Sequence, residues 1–135
     1  MIKRKILLAE DDGDDQRFFN EFLKDRKDII LMPSADDGEE LFTILGKIDK
    51  TGDLPNLIIL DQNMPKTSGL QALRLLKADS RYAHIPVSIY STYIDEELMK
   101  KGLESGACHV VQKPLSNEGY NQMIDSLFKV CASIE

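Results

Sequence analysis

Asp61 ends an unbroken apolar run, Leu57-Ile58-Ile59-Leu60. A short run of this kind reads as a strand buried on both faces, and α/β sheets place reactive groups just beyond the carboxyl ends of such strands. An aspartate there also caps turns, so Asp61 alone implies little. A second run, Ile6-Leu7-Leu8-Ala9, ends in Glu10-Asp11-Asp12-Gly13-Asp14-Asp15, where five of six positions are carboxylates. Two further runs end in Ser91-Thr92 and in Lys113-Pro114. Gathering Glu10, Asp11 and Asp61 at one edge is unfavourable without a counter-charge. Hard oxygen ligands without His or Cys suit Mg2+, which accepts one or two carboxylates and a phosphate. Lys113 and Ser91 would complete the donors around a dianionic phosphoryl group, with Thr92 the alternative hydroxyl. A carboxylate nucleophile, a metal, a lysine and a hydroxyl are what phosphoryl transfer to an aspartate requires.

Five strands and five helices must hold these groups. The strands are Ile6 to Ala9 (with Ile2 as a candidate start), Ile29 to Met32, Leu57 to Leu60, Pro86 to Tyr90 and Cys108 to Gln112. Between them lie amphipathic helical patterns. The first carries Phe18, Phe19, Phe22 and Leu23, with Asp14 suited to cap it. The second begins at Asp36-Asp37 and buries Leu41, Ile44, Leu45 and Ile48. Ser68 caps the third, with Leu70, Leu73 and Leu76 inward. The fourth, Asp95 to Ser105, is anchored by Leu98 and Leu103, and Gly106 stops it. Ser116 or Asn117 caps the last, which runs to near Ser133 with Tyr120, Met123, Ile124, Leu127, Phe128 and Cys131 on one face. Strict strand–helix alternation predicts an α/β fold with a parallel sheet covered on both sides. Right-handed crossovers make the flavodoxin-like order 2-1-3-4-5 the simplest arrangement. Its crevice then opens at strands 1 and 3, the two that end in acids.

Composition sets the outer limits. The chain has 135 residues, enough for one domain over 1–135, with 42% apolar and 30% charged residues. Its net charge of −6 argues against binding nucleic acid or an anionic membrane. No apolar run is long enough to span a bilayer or to act as a secretory signal, so the expected location is the cytoplasm. Two isolated cysteines, Cys108 and Cys131, read as reduced packing residues. His84 and His109 lack metal-ligand spacing, and Met64, Tyr90 and Tyr93 read as packing. Asp12, Asp14 and Asp15 read as solvated or capping acids.

Glu10-Asp11, Asp61 within Asp-x-x-Met-Pro-x-x-x-Gly, Ser91 thirty residues later and Lys113-Pro114 together resemble the CheY-like receiver domain of two-component response regulators. The resemblance covers essentially the whole chain. It implies that Asp61 takes a phosphoryl group from a phosphohistidine on a histidine kinase or a histidine phosphotransfer protein. It also implies that Asp11, Asp61 and the backbone carbonyl of Asn63 bind Mg2+ directly. Glu10 would act through a bound water, and Ser91 and Lys113 would contact the phosphoryl oxygens. A cis bond before Pro114 is usual in the family. The family is one of signalling proteins, whose catalysis is phosphoryl transfer to, and hydrolysis from, their own aspartate.

One position departs from the pattern. Many receivers carry Tyr or Phe three residues before the lysine, as a ring that changes place on phosphorylation. Here that residue is Val110, which has a stiff χ1 and no ring. Output is expected through helix 4, strand 5 and helix 5, to a protein target or to a second copy of the chain. With nothing after the last helix, the chain reads as a stand-alone receiver, or as a fragment of a longer regulator. Rival readings fit less well. A flavodoxin-like FMN carrier needs a neutral, hydroxyl- or glycine-rich phosphate loop where this chain puts five acids. A dinucleotide enzyme would want GxGxxG in that place, and it is absent. A phosphorylation-independent interaction module would have lost an acid or the lysine.

Overall fold

The computed structural model describes residues 3–131, so the expected strand start at Ile2 and the expected helix end near Ser133 fall outside the described residues. The elements alternate as expected: β1 (Arg4–Ala9), α1 (Gly13–Leu23), β2 (Ile29–Leu31), α2 (Gly38–Asp49), β3 (Leu57–Asp61), α3 (Gly69–Ala78), β4 (Val87–Ser91), α4 (Glu96–Glu104), β5 (His109–Gln112) and α5 (Asn117–Val130). All strand pairs are parallel and the order is β2-β1-β3-β4-β5.

The period-2 pleat sorts each strand's side chains into two cores. Ile6 and Leu8 of β1, Leu57 and Ile59 of β3, and Tyr90 of β4 face α1 and α5, packing with Phe19, Leu23, Tyr120 and Ile124. Leu7, Ala9, Ile58, Leu60, Val87 and Ile89 face the other way, onto α2, α3 and α4. Both faces are covered, which explains why the central strands read as continuous apolar runs.

Two glycines set how closely helices approach the sheet. A Cβ on Gly69 would lie 2.8 Å from the carbonyl oxygen of Asp61. Only glycine lets α3 start against the end of β3, and so fixes the turn that carries Asp61. A Cβ on Gly102 would lie 2.7 Å from Cγ2 of Val110, so α4 is seated directly on β5.

Ser68 forms a full capping box with Gln71, and Ser116 caps α5. Asp95 caps α4, and Gly106 follows that helix at φ +108°. Asp12, not Asp14, caps α1: its carboxylate accepts the N–H groups of Asp14 at 2.8 Å and Asp15 at 3.0 Å. In a run of acids any could cap, and the choice falls to the residue just before the first helical turn. Leu103 is exposed on α4, where Gly102 faces the sheet instead. Phe18 is likewise exposed and only Phe19 and Leu23 of its stripe are fully buried.

The two cysteines are not free thiols but form a disulfide, Cys108–Cys131. Because α5 returns antiparallel to β5, its last turn comes back beside the start of that strand. The two Cα atoms are 5.5 Å apart, within bridging distance although 23 residues separate them. The Lys113–Pro114 peptide is trans, as are all peptide bonds among the described residues, against the cis bond the resemblance implied.

Candidate functional site

The β1–β3 register pairs Ala9 with Leu60, and the β3–β4 register pairs Asp61 with Tyr90. Extended by one residue, it sets Glu10, Asp61 and Tyr90 in a row across three strands. By the pleat, all three side chains point to the α1/α5 side. Lys113 follows β5 on that side and reaches back over the row.

Glu10 and Asp61 are buried, while Asp11 in the β1–α1 turn is exposed. Carboxylate oxygens of Glu10, Asp11 and Asp61 all lie within 4.8 Å of one another. The Lys113 ammonium sits among the acids, 2.8 Å from Glu10, 3.1 Å from Asp15 and 3.2 Å from Asp61. Oδ1 of Asp61 also accepts the backbone N–H of Asn63 at 3.2 Å. The two donors on one oxygen fix the plane of the carboxylate. Ser91 ends β4, buried, and its carbonyl accepts the Lys113 N–H at 2.8 Å. Thr92, the other hydroxyl considered, is exposed. Asn63 is exposed in the β3–α3 turn, beside Asp61.

Two residues join this group that the sequence did not single out for it. Asp15, read as a solvated or capping acid, is an ion-pair partner of Lys113. Tyr90, read as packing, is fully buried and donates its hydroxyl to Oε1 of Glu10 at 2.8 Å, with its ring centroid 5.0 Å from Nζ of Lys113. The strand register, with the pleat, was the available signal for Tyr90. Gln16 of α1 steadies the loop, its amide donating to the Glu10 carbonyl and, at 2.8 Å, to Asp36.

Electrostatics follow from this crowding. Burial, then the hydrogen bond and charge of Glu10, push the Asp61 carboxyl from its ordinary 3.8 up to about 8, against the downward pull of Lys113 and the Asn63 amide. Burial alone would lower the Lys113 ammonium, but Glu10, Asp61 and Asp15 together hold it above its ordinary value. Burial and the neighbouring Glu10 keep the Tyr90 phenol protonated. An acidic cluster of this kind, all oxygen donors and compressed at one sheet edge, fits a hard divalent cation.

The model of the response regulator receiver domain matches residues 6–125. The chain belongs to this family. This receiver is 32% identical over 114 residues to hybrid signal transduction histidine kinase D of Dictyostelium discoideum. The match covers 84% of the chain but only 7% of that kinase. It is 26% identical to the chemotaxis protein CheY of Pseudomonas aeruginosa, covering 93% of the receiver and 96% of that protein. Among solved structures, the Mn(2+)-bound form of response regulator Rcp1 superposes with a TM-score of 0.77 at 27% identity, covering 93% of this chain and 92% of that one. The predicted strand order and the CheY-like resemblance therefore hold. No helix among the described residues is long and apolar enough to cross a membrane.

Proposed function

We propose that this receiver accepts a phosphoryl group onto Asp61 from a phosphohistidine of a histidine kinase or histidine phosphotransfer protein. The observation that carries this reading is the placement of Lys113 Nζ 3.2 Å from Asp61, inside a cluster whose other acids lie within 4.8 Å. In the step, a carboxylate oxygen of Asp61 attacks phosphorus. The P–N bond breaks, its electron pair returns to the imidazole nitrogen, and an acyl phosphate forms. The imidazole leaves neutral because its other nitrogen already carries a proton.

The residues divide the work. The Asn63 N–H and Lys113 hold Asp61 oriented for attack. Lys113 then follows the charge onto the phosphoryl oxygens, joined by the Ser91 hydroxyl. Asp11, Asp61 and the Asn63 carbonyl would hold Mg2+, with Glu10 acting through a water. Bound Mg2+ supplies positive charge against the incoming phosphoryl oxygens and the acids. Hydrolysis of the acyl phosphate in the same site resets the protein. The reading assigns it signalling rather than metabolic work, in the cytoplasm, with output through the α4–β5–α5 face to a protein target or a second copy of the chain.

The test is incubation with Mg2+ and acetyl phosphate, followed by intact mass. Wild type should gain one phosphate, Asp61→Asn none, and Asp12→Asn, which keeps a good α1 cap, should label normally. Equal labelling of wild type and Asp61→Asn would end the proposal.

A further inference from the structure

Tyr90 and Tyr82 are both buried tyrosines, but they use their hydroxyls differently. The Tyr82 hydroxyl is buried without a hydrogen-bond partner among the described residues. That of Tyr90 is aimed at one oxygen of one acid, Oε1 of Glu10. Packing against Tyr120 and Ile59 needs only the ring. The hydroxyl must span from β4 across β3 to reach the end of β1, a reach that leucine or phenylalanine at this position would lack.

Glu10 has few partners. Oε1 meets Lys113 and Tyr90, each at 2.8 Å, and Oε2 accepts the Asp12 N–H at 3.2 Å. Lys113 is shared with Asp61 and Asp15. On the proposed reading, Lys113 turns to the phosphoryl group once it arrives on Asp61. Tyr90 is then the side-chain donor that stays on Glu10. Its ring also forms a floor 5.0 Å below the ammonium, a cation–π contact that limits where Lys113 rests.

We propose that Tyr90 is a positioning residue of this phosphoacceptor site, its hydroxyl fixing Glu10 for the metal-bound water and its ring seating Lys113. The inference rests on the receiver reading and deepens it. The two roles are separable by substitution. Tyr90→Phe removes the hydroxyl and keeps the ring, while Tyr90→Leu removes both.

Mg2+ affinity is read by isothermal titration calorimetry, without any phosphodonor. Partners behind a metal site commonly set affinity, so Tyr90→Phe should weaken Mg2+ binding by about tenfold. In a Glu10→Ala background the same substitution should cost nothing further, because the hydroxyl acts through Glu10. At saturating Mg2+, labelling by acetyl phosphate should be about tenfold slower in Tyr90→Leu than in Tyr90→Phe, because only leucine removes the ring beneath Lys113. Melting in EDTA checks the fold of each variant. A merely structural tyrosine would weaken binding equally in both backgrounds, and that result overturns the inference. So does wild-type Mg2+ affinity in a folded Tyr90→Phe. If wild type itself bound no Mg2+ and took no phosphate, the receiver reading would fail, and this inference with it.

Discussion

The ammonium of Lys113 rests 2.8 Å from Oε1 of Glu10, a carboxylate with no exposed surface. The contact gives the lysine a structural role, since it offsets acids that burial and mutual repulsion would otherwise expel. Lys113→Met keeps the length of the side chain and removes the charge. It should lower the stability of the metal-free protein by roughly 2 kcal/mol or more, because a buried acid loses its cation. Saturating Mg2+ should restore part of the loss. The measurement is urea unfolding in EDTA and in Mg2+. A variant as stable as wild type in EDTA would show that Glu10 does not depend on this lysine.

The raised carboxyl of Asp61 gives the metal-free protein a pH dependence of predictable sign. Below the ordinary value of 3.8 the group is protonated folded and unfolded, and its contribution is fully present. Between there and about 8 the unfolded chain releases the proton while the folded site keeps it, so stability falls as pH rises. Above that the contribution is lost. In EDTA, wild type should therefore lose stability from pH 5 to 9 relative to Asp61→Asn, which should be the more stable of the two at the alkaline end, by on the order of 1 kcal/mol. Mg2+ should raise the wild-type melting temperature by linkage and shrink the difference. Parallel pH profiles for the two proteins in EDTA would contradict the raised carboxyl.

The strand ends were legible because each is a local pattern: an apolar run, then a carboxylate, a hydroxyl or a lysine. The order of the sheet followed from alternation and handedness, and the fold family agrees. What the sequence hid was contact across strands. Tyr90 meets Glu10 across 80 residues of chain, and only the pleat and the register align them. Asp15 looks like any acid in a first helical turn until Lys113 arrives from the other end of the protein. Cys108 and Cys131 are each unremarkable in their own segments, and their meeting depends on where α5 turns back. Leu103 misled for the opposite reason: α4 is short, and a glycine rather than a leucine is its point of closest approach to β5.

The disulfide closes a loop across a sequence separation of 23 residues. Loop closure of that size stabilises by about 3 kcal/mol in the chain-entropy account. Dithiothreitol should lower the melting temperature of wild type, and Cys131→Ser should melt near the reduced wild type and ignore the reductant. Since the bridge lies at the opposite end of β5 from Lys113, phosphate labelling below the melting transition should survive reduction. Identical melting of oxidised and reduced wild type would show that the pair adds no stability.

Val110 and Ser91 differ in how each could transmit a change at the site. Val110 stands where many receivers keep a mobile ring, and it is 2% exposed, packed in the core with Ile89 and under Gly102 of α4. A branched side chain with one favoured rotamer in that position has nowhere to swing. Ser91 has a different connection. Its carbonyl holds the Lys113 N–H, and the next carbonyl, of Thr92, accepts the Gln112 side chain at 3.2 Å. A shift of Ser91 toward a phosphoryl oxygen therefore pulls directly on the β4–α4 turn and on the end of β5. A hydrogen bond to a charged group contributes roughly 1.5–3 kcal/mol, enough to move a two-state loop by a factor of about ten or more. Ser91→Ala should weaken the response of the α4–β5–α5 face to a phosphoryl mimic. Val110→Ala should cost about 1–2 kcal/mol of stability through the cavity it leaves, yet preserve that response. The comparison is amide exchange or NMR shifts of both variants with and without beryllofluoride. A response erased by Val110→Ala and untouched by Ser91→Ala would place the coupling through the α4–β5 packing instead of the Ser91 backbone.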